Sequence, residues 1–229
     1  MTSSDGGVTP TRVILIRHGE SNVTVQRVIG GPRSCTGLSP LGVTQAERLR
    51  DRLAETGELS DATVLYASEY PRAVETAEIV APAVGPSGLT VSSDARFGEH
   101  DPGPVCDGLT FRDFVDRFGM PDWHGDPHAI TFPEGESLAT FHHRVGEGLS
   151  EAVRRHDGGV LVIACHGGVV DAAIRYLLRL PQTGGFELHT VNTSLTEFVH
   201  VRPGTWRLAR YNDAAHLAGL AKETPRETG

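Results

Sequence analysis

The chain has 229 residues, 21 of them Lys or Arg and 29 Asp or Glu, for a formal charge of −8. Apolar residues make up 38% and 27 glycines add to them, the composition of a globular domain and not of a disordered chain. The acidic balance excludes a general nucleic-acid or anionic-membrane binder, which needs a basic footprint, yet allows a local basic pocket around a small anion.

In chain order, Met1–Pro10 is rich in Ser, Gly and Thr and lacks a basic-then-apolar pattern, so no signal peptide is expected. Val13–Ile16 is a short β-branched run that ends at Arg17-His18-Gly19. Pro40–Glu55 carries Leu41, Ala46, Leu49 and Leu53 near helical spacing. Thr63–Tyr66 reads as a strand leading through Ser68 into a helix over Tyr70–Ala81, with Pro71 tolerated in its first turn. The Gly/Pro-rich middle, roughly 96–133, reads as a lid-like insertion over the carboxyl edge of the sheet. Ser137–Arg155 predicts a long helix, with Phe141, Val145, Leu149 and Val153 spaced by four. Val160–Ala164 is a second wholly apolar strand, ending at Cys165-His166-Gly167-Gly168 and followed by a helix over Val169–Leu180. Ser194–Val201 and Thr205–Tyr211 alternate around Arg202-Pro203-Gly204, which reads as a strand pair; from about residue 213 the chain reads as a polar tail.

Unbroken apolar strands suit a sheet buried on both faces. Their alternation with helices predicts an α/β fold: one domain over 1–229, a three-layer sandwich with a mostly parallel central sheet flanked by helices. The longest apolar runs fall far short of the ~20 residues of a membrane span. Cys35, Cys106 and Cys165 are an odd, widely spaced set without metal-type pairing, so a soluble cytoplasmic protein with reduced thiols is expected. The edge of the late strand pair would allow a homodimer.

Twenty of the 21 cations are arginine; the lone lysine, Lys222, stands in the polar tail. Schiff-base and P-loop lysine chemistry are therefore excluded, and phosphate, if handled, meets the flat guanidinium fork. In open α/β sheets ligands bind beyond the carboxyl ends of the strands. Both main strands here end in histidine, His18 and His166, and the third leads to Arg72. With Arg17 that places two arginines and two histidines around one point, a set suited to a phosphate dianion, with His18 as nucleophile. Neighbouring arginines disfavour protonation of that imidazole and keep a lone pair available. An alkoxide leaves poorly, so a carboxylic acid must protonate it; Glu99 is the first candidate and Asp101 the second.

Leu15-Ile16-Arg17-His18-Gly19-Glu20-Ser21 resembles the R-H-G-E/Q/T signature of the histidine phosphatase superfamily, the phosphoglycerate mutase-like proteins. Leu38–Ala46 is similar to its L-[ST]-x-x-G-x-x-Q-A, and Ser68–Ala77 to S-x-x-x-R-A-x-[QE]-T-A. Phe97-Gly98-Glu99 with Gly103, Pro133–Ser137 with Arg144-Val145, and Cys165–Gly168 continue the likeness in family order over about 12–180. The resemblance implies a central sheet flanked by helices and phosphorylation of His18 by substrate. It also implies phosphate binding by Arg17, Arg72 and His166, proton donation by Glu99, and neither metal nor cofactor. Thr24 stands where the signature usually has Asn, and Thr36-Gly37 survive in the substrate-contacting loop, near Arg27 and Arg33. Gly167 is expected beside the phosphate.

The basic stretch that follows the acidic residue in true mutases is missing from Gly98–Gly103, so the expected activity is hydrolysis of a small phosphorylated metabolite. The alternatives are a phosphoglycerate mutase-type transfer or a non-catalytic phosphate- or protein-binding module. Asp122, His124, Asp126 and His128 invite a metal reading, but Pro127 breaks the helix it would need. Cys165 does not open a Cys-x₅-Arg motif, because the required position is Asp171; it reads as a small buried residue. His142-His143 reads as surface histidine. Phe111, Phe114, Phe118 and Trp123 are candidates for an apolar wall around the leaving group, or for packing of the insertion.

Overall fold

The computed structural model describes residues 9–86 and 89–220. The first eight residues of the Ser/Gly/Thr-rich start (1–8) and the end of the expected tail (221–229, with Lys222) lie outside the described residues. The elements run β1 (Arg12–Arg17), α1 (Asn22–Val25), α2 (Pro40–Thr56), β2 (Val64–Ala67), α3 (Pro71–Val80) and β3 (Val91–Ser93). Then follow α4 (Gly103–Cys106), α5 (Phe111–Phe118), α6 (Leu138–Arg155), β4 (Val160–Cys165), α7 (Gly167–Leu178), β5 (Leu195–Arg202) and β6 (Thr205–Asp213).

The strands form one mixed sheet in the order β3-β2-β4-β1-β5-β6. β3, β2, β4 and β1 are parallel, and β5 runs antiparallel to both β1 and β6. Side chains alternate across the central strands. Val13, Leu15, Leu161 and Ile163 therefore meet Phe141, Val145 and Leu149 of α6 and Val169 and Ala173 of α7. Ile14, Ile16, Val160 and Val162 meet Leu49 and Leu53 of α2 and Val80 of α3 on the other face. β1 and β4 are buried on both sides, as their unbroken apolar runs require.

Capping fixes where the helices start. Ser39 accepts from the Gly42 amide with Pro40 at the first helical position, and Ser137 accepts from the Thr140 amide. α2 stops at Gly57, whose φ of 65° is the left-handed conformation that glycine adopts freely. β3 was invisible in the sequence because a three-residue edge strand shows no period.

The middle of the chain folds as the short helices α4 and α5 around a small core of Cys106, Phe114 and Phe132, with Ile29, Phe111 and Val115 packed against it. His142 departs from the surface reading: it lies buried on α6, 6% exposed, because that face packs on α7, whereas His143 is exposed and meets Glu147 at 3.6 Å. The start of the expected tail is anchored. Arg52 donates to Asp213 at 2.9 and 2.6 Å, and His216 Nε2 lies 2.9 Å from Thr193 Oγ1. The three cysteines are free and buried. Among the described residues no helix is long and apolar enough to cross a membrane.

Candidate active site

β1 and β4 pair in parallel with Arg17 opposite Cys165, so His18 and His166 leave the sheet together at the same edge. The His18 amide donates to the Cys165 carbonyl at 2.9 Å, and the ring centroids lie 5.0 Å apart at 63°. Arg72, in the first turn of α3, points its Nε at both rings, 3.2 Å from His18 Nε2 and 3.3 Å from His166 Nδ1. All three side chains are buried, with Arg17 under the same edge.

Hydrogen-bond chemistry assigns the tautomers. A carbonyl only accepts, so His18 Nδ1, 2.6 Å from the Gly19 oxygen, carries the proton. Nε2 then holds a lone pair, which faces the Arg72 N–H. An arginine only donates, so His166 Nδ1 accepts from Arg72 and its Nε2–H points to Ser68 Oγ at 2.7 Å. Burial first, and then the charges of Arg72 and Arg17, hold the His166 pKa well below its ordinary value. Arg72 Nη2 reaches the Gly30 carbonyl at 3.4 Å, whereas its Nη1 is buried without a hydrogen-bond partner. A buried unpaired guanidinium N–H is costly, and an anion beside it would satisfy it.

The loop carrying His18 is held from three sides. The Gly19 amide donates to Thr76 Oγ1 at 3.1 Å and the Glu20 amide to Gln45 Oε1 at 2.8 Å. Neither Gly19 nor Gly42 has room for a Cβ, since their backbones press on each other and on Glu20. The Leu38–Ala46 stretch is therefore the seat of this loop. From the far side Asn192 Nδ2 donates to the His18 carbonyl at 2.7 Å, and the Thr193 amide to the Arg17 carbonyl at 2.8 Å. Arg17 Nη1 donates to the Thr190 carbonyl. Thr193 is fully buried at φ 56°, a strained conformation for a β-branched residue.

Glu99 arrives from the loop after β3. Arg144 on α6 donates to the carbonyls of Arg96, Gly98 and Glu99 at 2.9, 3.1 and 3.2 Å and pairs with Glu136 at 2.5 Å. That clamp fixes the loop. The Glu99 carboxylate accepts from the amides of His100 at 3.0 Å and Gly168 at 3.2 Å, which caps α7 where the His166 side chain makes no cap. A Cβ on Gly168 would overlap that carboxylate. Asp101 accepts instead from the Gly103 amide at 2.9 Å, within its own turn.

A cavity of about 250 Å³ opens over His18, Arg72 and Glu99 and is lined also by Ser21, Val23, Thr24, Arg27, Val28, Ile29, Gly30 and Phe111. Of the residues expected from the sequence, His18, Arg72, Glu99 and Thr24 line it, and Arg17 and His166 lie buried beneath it. Asp101 does not line it, nor do Thr36, Gly37 and Gly167. Thr36 is exposed and turned to Asn22, whose Nδ2 lies 3.3 Å from its hydroxyl. Gly37, at φ 99°, leaves room for the Glu75 carboxylate that takes the Leu38 amide at 2.7 Å. Gly167, in the first turn of α7, faces a different hollow, beside Trp123. Of the four aromatic candidates only Phe111 reaches the cavity; Phe114 is core and Phe118 is exposed.

Sequence reasoning passed over Thr190, Asn192 and Thr193, whose one visible signal was a polar run just before β5. Among the described residues no group of three or more His, Cys, Asp or Glu is disposed to hold a metal. Asp122 and Asp126 accept from the amides two residues on, at 3.0 and 2.9 Å. A larger groove of about 690 Å³ between α6 and α7 lies away from this edge, and its Arg96 and Arg175 are paired with Asp94, Glu151 and Asp171.

The chain is 27% identical over 209 residues to the phosphoglycerate mutase-like protein 4 of Arabidopsis thaliana, covering 90% of this chain and 86% of that one. It is 31% identical over 199 residues to a bifunctional protein of Mycobacterium tuberculosis, covering 83% of this chain but only 51% of that longer relative. Its fold matches a mycobacterial glucosyl-3-phosphoglycerate phosphatase solved with VO3, with a TM-score of 0.71 at 25% identity, over 88% of this chain and 98% of that one. The family model of the histidine phosphatase superfamily (branch 1) matches residues 13–214, and the chain belongs to that superfamily.

Proposed function

We propose that this protein is a phosphatase that hydrolyses a small phosphomonoester through a phosphohistidine on His18, without a metal ion. The observation that carries the reading is the Arg72 side chain: its Nε–H lies between the two imidazoles, and its Nη1 is buried without a hydrogen-bond partner. The lone pair of His18 Nε2 forms the N–P bond as the bond from phosphorus to the alcohol oxygen breaks. The leaving oxygen takes its proton from the Glu99 carboxyl, which spares the expulsion of an alkoxide. Water then attacks phosphorus, gives its proton to the Glu99 carboxylate, and the N–P electrons return to Nε2. Arg72 holds the equatorial oxygens, the His166 lone pair orients the Arg72 Nε–H, and the buried charge of Arg17 adds to the field that stabilises them.

Support comes from the mycobacterial phosphatase solved with VO3, which shares the fold at 25% identity. The mutase reading rests on Arg27, a second cation lining the cavity, and on the mutase-like name of the plant relative. Rapid quench after mixing with a labelled phosphomonoester tests the proposal. Acid-labile label on wild type, none on His18→Ala, and phosphate release undiminished by chelator are expected. Full activity in His18→Ala, or its loss on chelation, would sink it. Interconversion of 3- and 2-phosphoglycerate faster than phosphate release would favour the mutase.

A further inference from the structure

Part of the cavity's lining is apolar. Its wall there is Val23, Val28, Ile29 and the ring of Phe111. This wall is built in place. The Ile29 amide donates to the Leu109 carbonyl at 2.7 Å, the Gly108 amide returns to Ile29 at 2.9 Å, and Val28 bridges to Thr110. These bonds seat the loop against the start of α5. Phe111 lies against Phe114 with centroids 6.1 Å apart at 29°, and Phe114 meets Phe132 at 5.2 Å, so the ring is braced by the insertion's own core.

The rest of the lining, Gly30 aside, is polar. Besides His18, Arg72 and Glu99, the lining hydroxyls are Ser21 and Thr24, which bond to each other at 3.0 Å. Arg27 stands exposed at the rim. A polyhydroxylated group seated on this wall would leave its hydroxyls without partners, a desolvation cost that an apolar group avoids. The volume, about 250 Å³, falls below the roughly 300–1,000 Å³ of pockets for drug-sized ligands, so phosphate and leaving group together must be small.

We infer, resting on the phosphatase reading above, that the alcohol half of the substrate is a compact apolar group, aryl or branched aliphatic, seated on Ile29 and Phe111. A sugar or glycerate fits that wall poorly.

The test compares kcat/KM for benzyl phosphate, ethyl phosphate, glucose 6-phosphate and 3-phosphoglycerate, whose leaving groups are all unactivated alcohols. Benzyl phosphate is expected to exceed the sugar phosphate and the glycerate by about 100-fold. Phe111→Ala and Ile29→Ala should each lower the benzyl-to-ethyl ratio about tenfold, and Phe111→Leu, which keeps the wall apolar, should retain most of it. Two sites of substitution guard against misfolding of either variant. Preference for glucose 6-phosphate or 3-phosphoglycerate, or a ratio unmoved by both alanine variants, overturns the assignment and leaves the phosphatase reading standing. No turnover of any of the four, together with no label on His18, overturns both.

Discussion

Ser68 Oγ lies 2.7 Å from Nε2 of His166 and also accepts the Tyr70 amide at 3.2 Å, so a hydroxyl just past β2 takes the N–H of the tautomer that Arg72 imposes on a histidine just past β4. With Nε2–H pointed at Ser68, the lone pair on Nδ1 is turned to Arg72 and orients its Nε–H. Ser68→Ala would leave a buried N–H unsatisfied, a cost of about 1–3 kcal/mol. We expect kcat/KM to fall about tenfold or more, with the fold intact by circular dichroism and the His166 Nε2–H resonance lost or moved in the NMR spectrum. Unchanged kinetics would show that Ser68 does not position the ring.

Arg72→Lys keeps the charge but removes the fork. The Nε–H between the rings and the waiting Nη1 cannot both be replaced by one ammonium. A loss of about 10²–10³ in kcat is expected, with weaker inhibition by vanadate. A variant within a few-fold of wild type would mean that the guanidinium is structural.

Glu99 and Gly168 make a paired prediction about the leaving group. Glu99→Gln keeps the shape and removes the acid, and should slow ethyl phosphate by about 10²–10⁴ while touching p-nitrophenyl phosphate far less, because a nitrophenolate departs unprotonated. Gly168→Ala should show the same selectivity in milder form, since its Cβ would displace the carboxylate. Equal losses on both esters would move the proton donor elsewhere.

Stability should fall in acid in two windows. Burial lowers the His216 pKa to about 4, so between about pH 6.5 and 4 the unfolded chain binds a proton that the folded chain does not. Stability therefore declines as pH falls through that range, and His216→Gln should flatten the decline; buried His142 adds to it in the same direction. Lower down, the hydrogen bond from Arg52 holds the Asp213 carboxyl far below its usual range. Burial alone would raise Glu58, but its bonds and charge contacts with Arg210 and Arg52 outweigh that and lower it. The stability these carboxylates contribute is present above their unfolded values near 4 and is lost as pH falls below them. Urea unfolding from pH 7 to 3 should show Asp213→Asn with a shallower acid limb. A variant curve parallel to wild type in its window would remove that group from the account.

Much of the site was legible because its chemistry sits where strands end. The apolar runs before His18 and His166 predicted parallel central strands, and neighbouring parallel strands deliver their terminal residues to one edge. Arg72 was legible for the same reason, one turn into the helix that follows β2. The sequence alone did not separate Glu99 from Asp101, two carboxylates in one loop; the clamp by Arg144, more than forty residues away, turns one toward α7 and leaves the other to its own turn.

Thr36 and Gly37 marked a real junction outside the lining of this cavity, where Asn22 meets the threonine hydroxyl and the Glu75 carboxylate fills the space beside the glycine. Likewise, one of the four aromatic candidates, Phe111, reached the cavity, a choice made by how α5 rests on its small core. The sequence by itself determined strand type, helix faces and the kinds of side chain available for chemistry, since these follow from local periodicity and covalent order. Tertiary structure decided which of those side chains face the anion, because that depends on packing and hydrogen bonds between residues far apart in the chain, which no local pattern encodes.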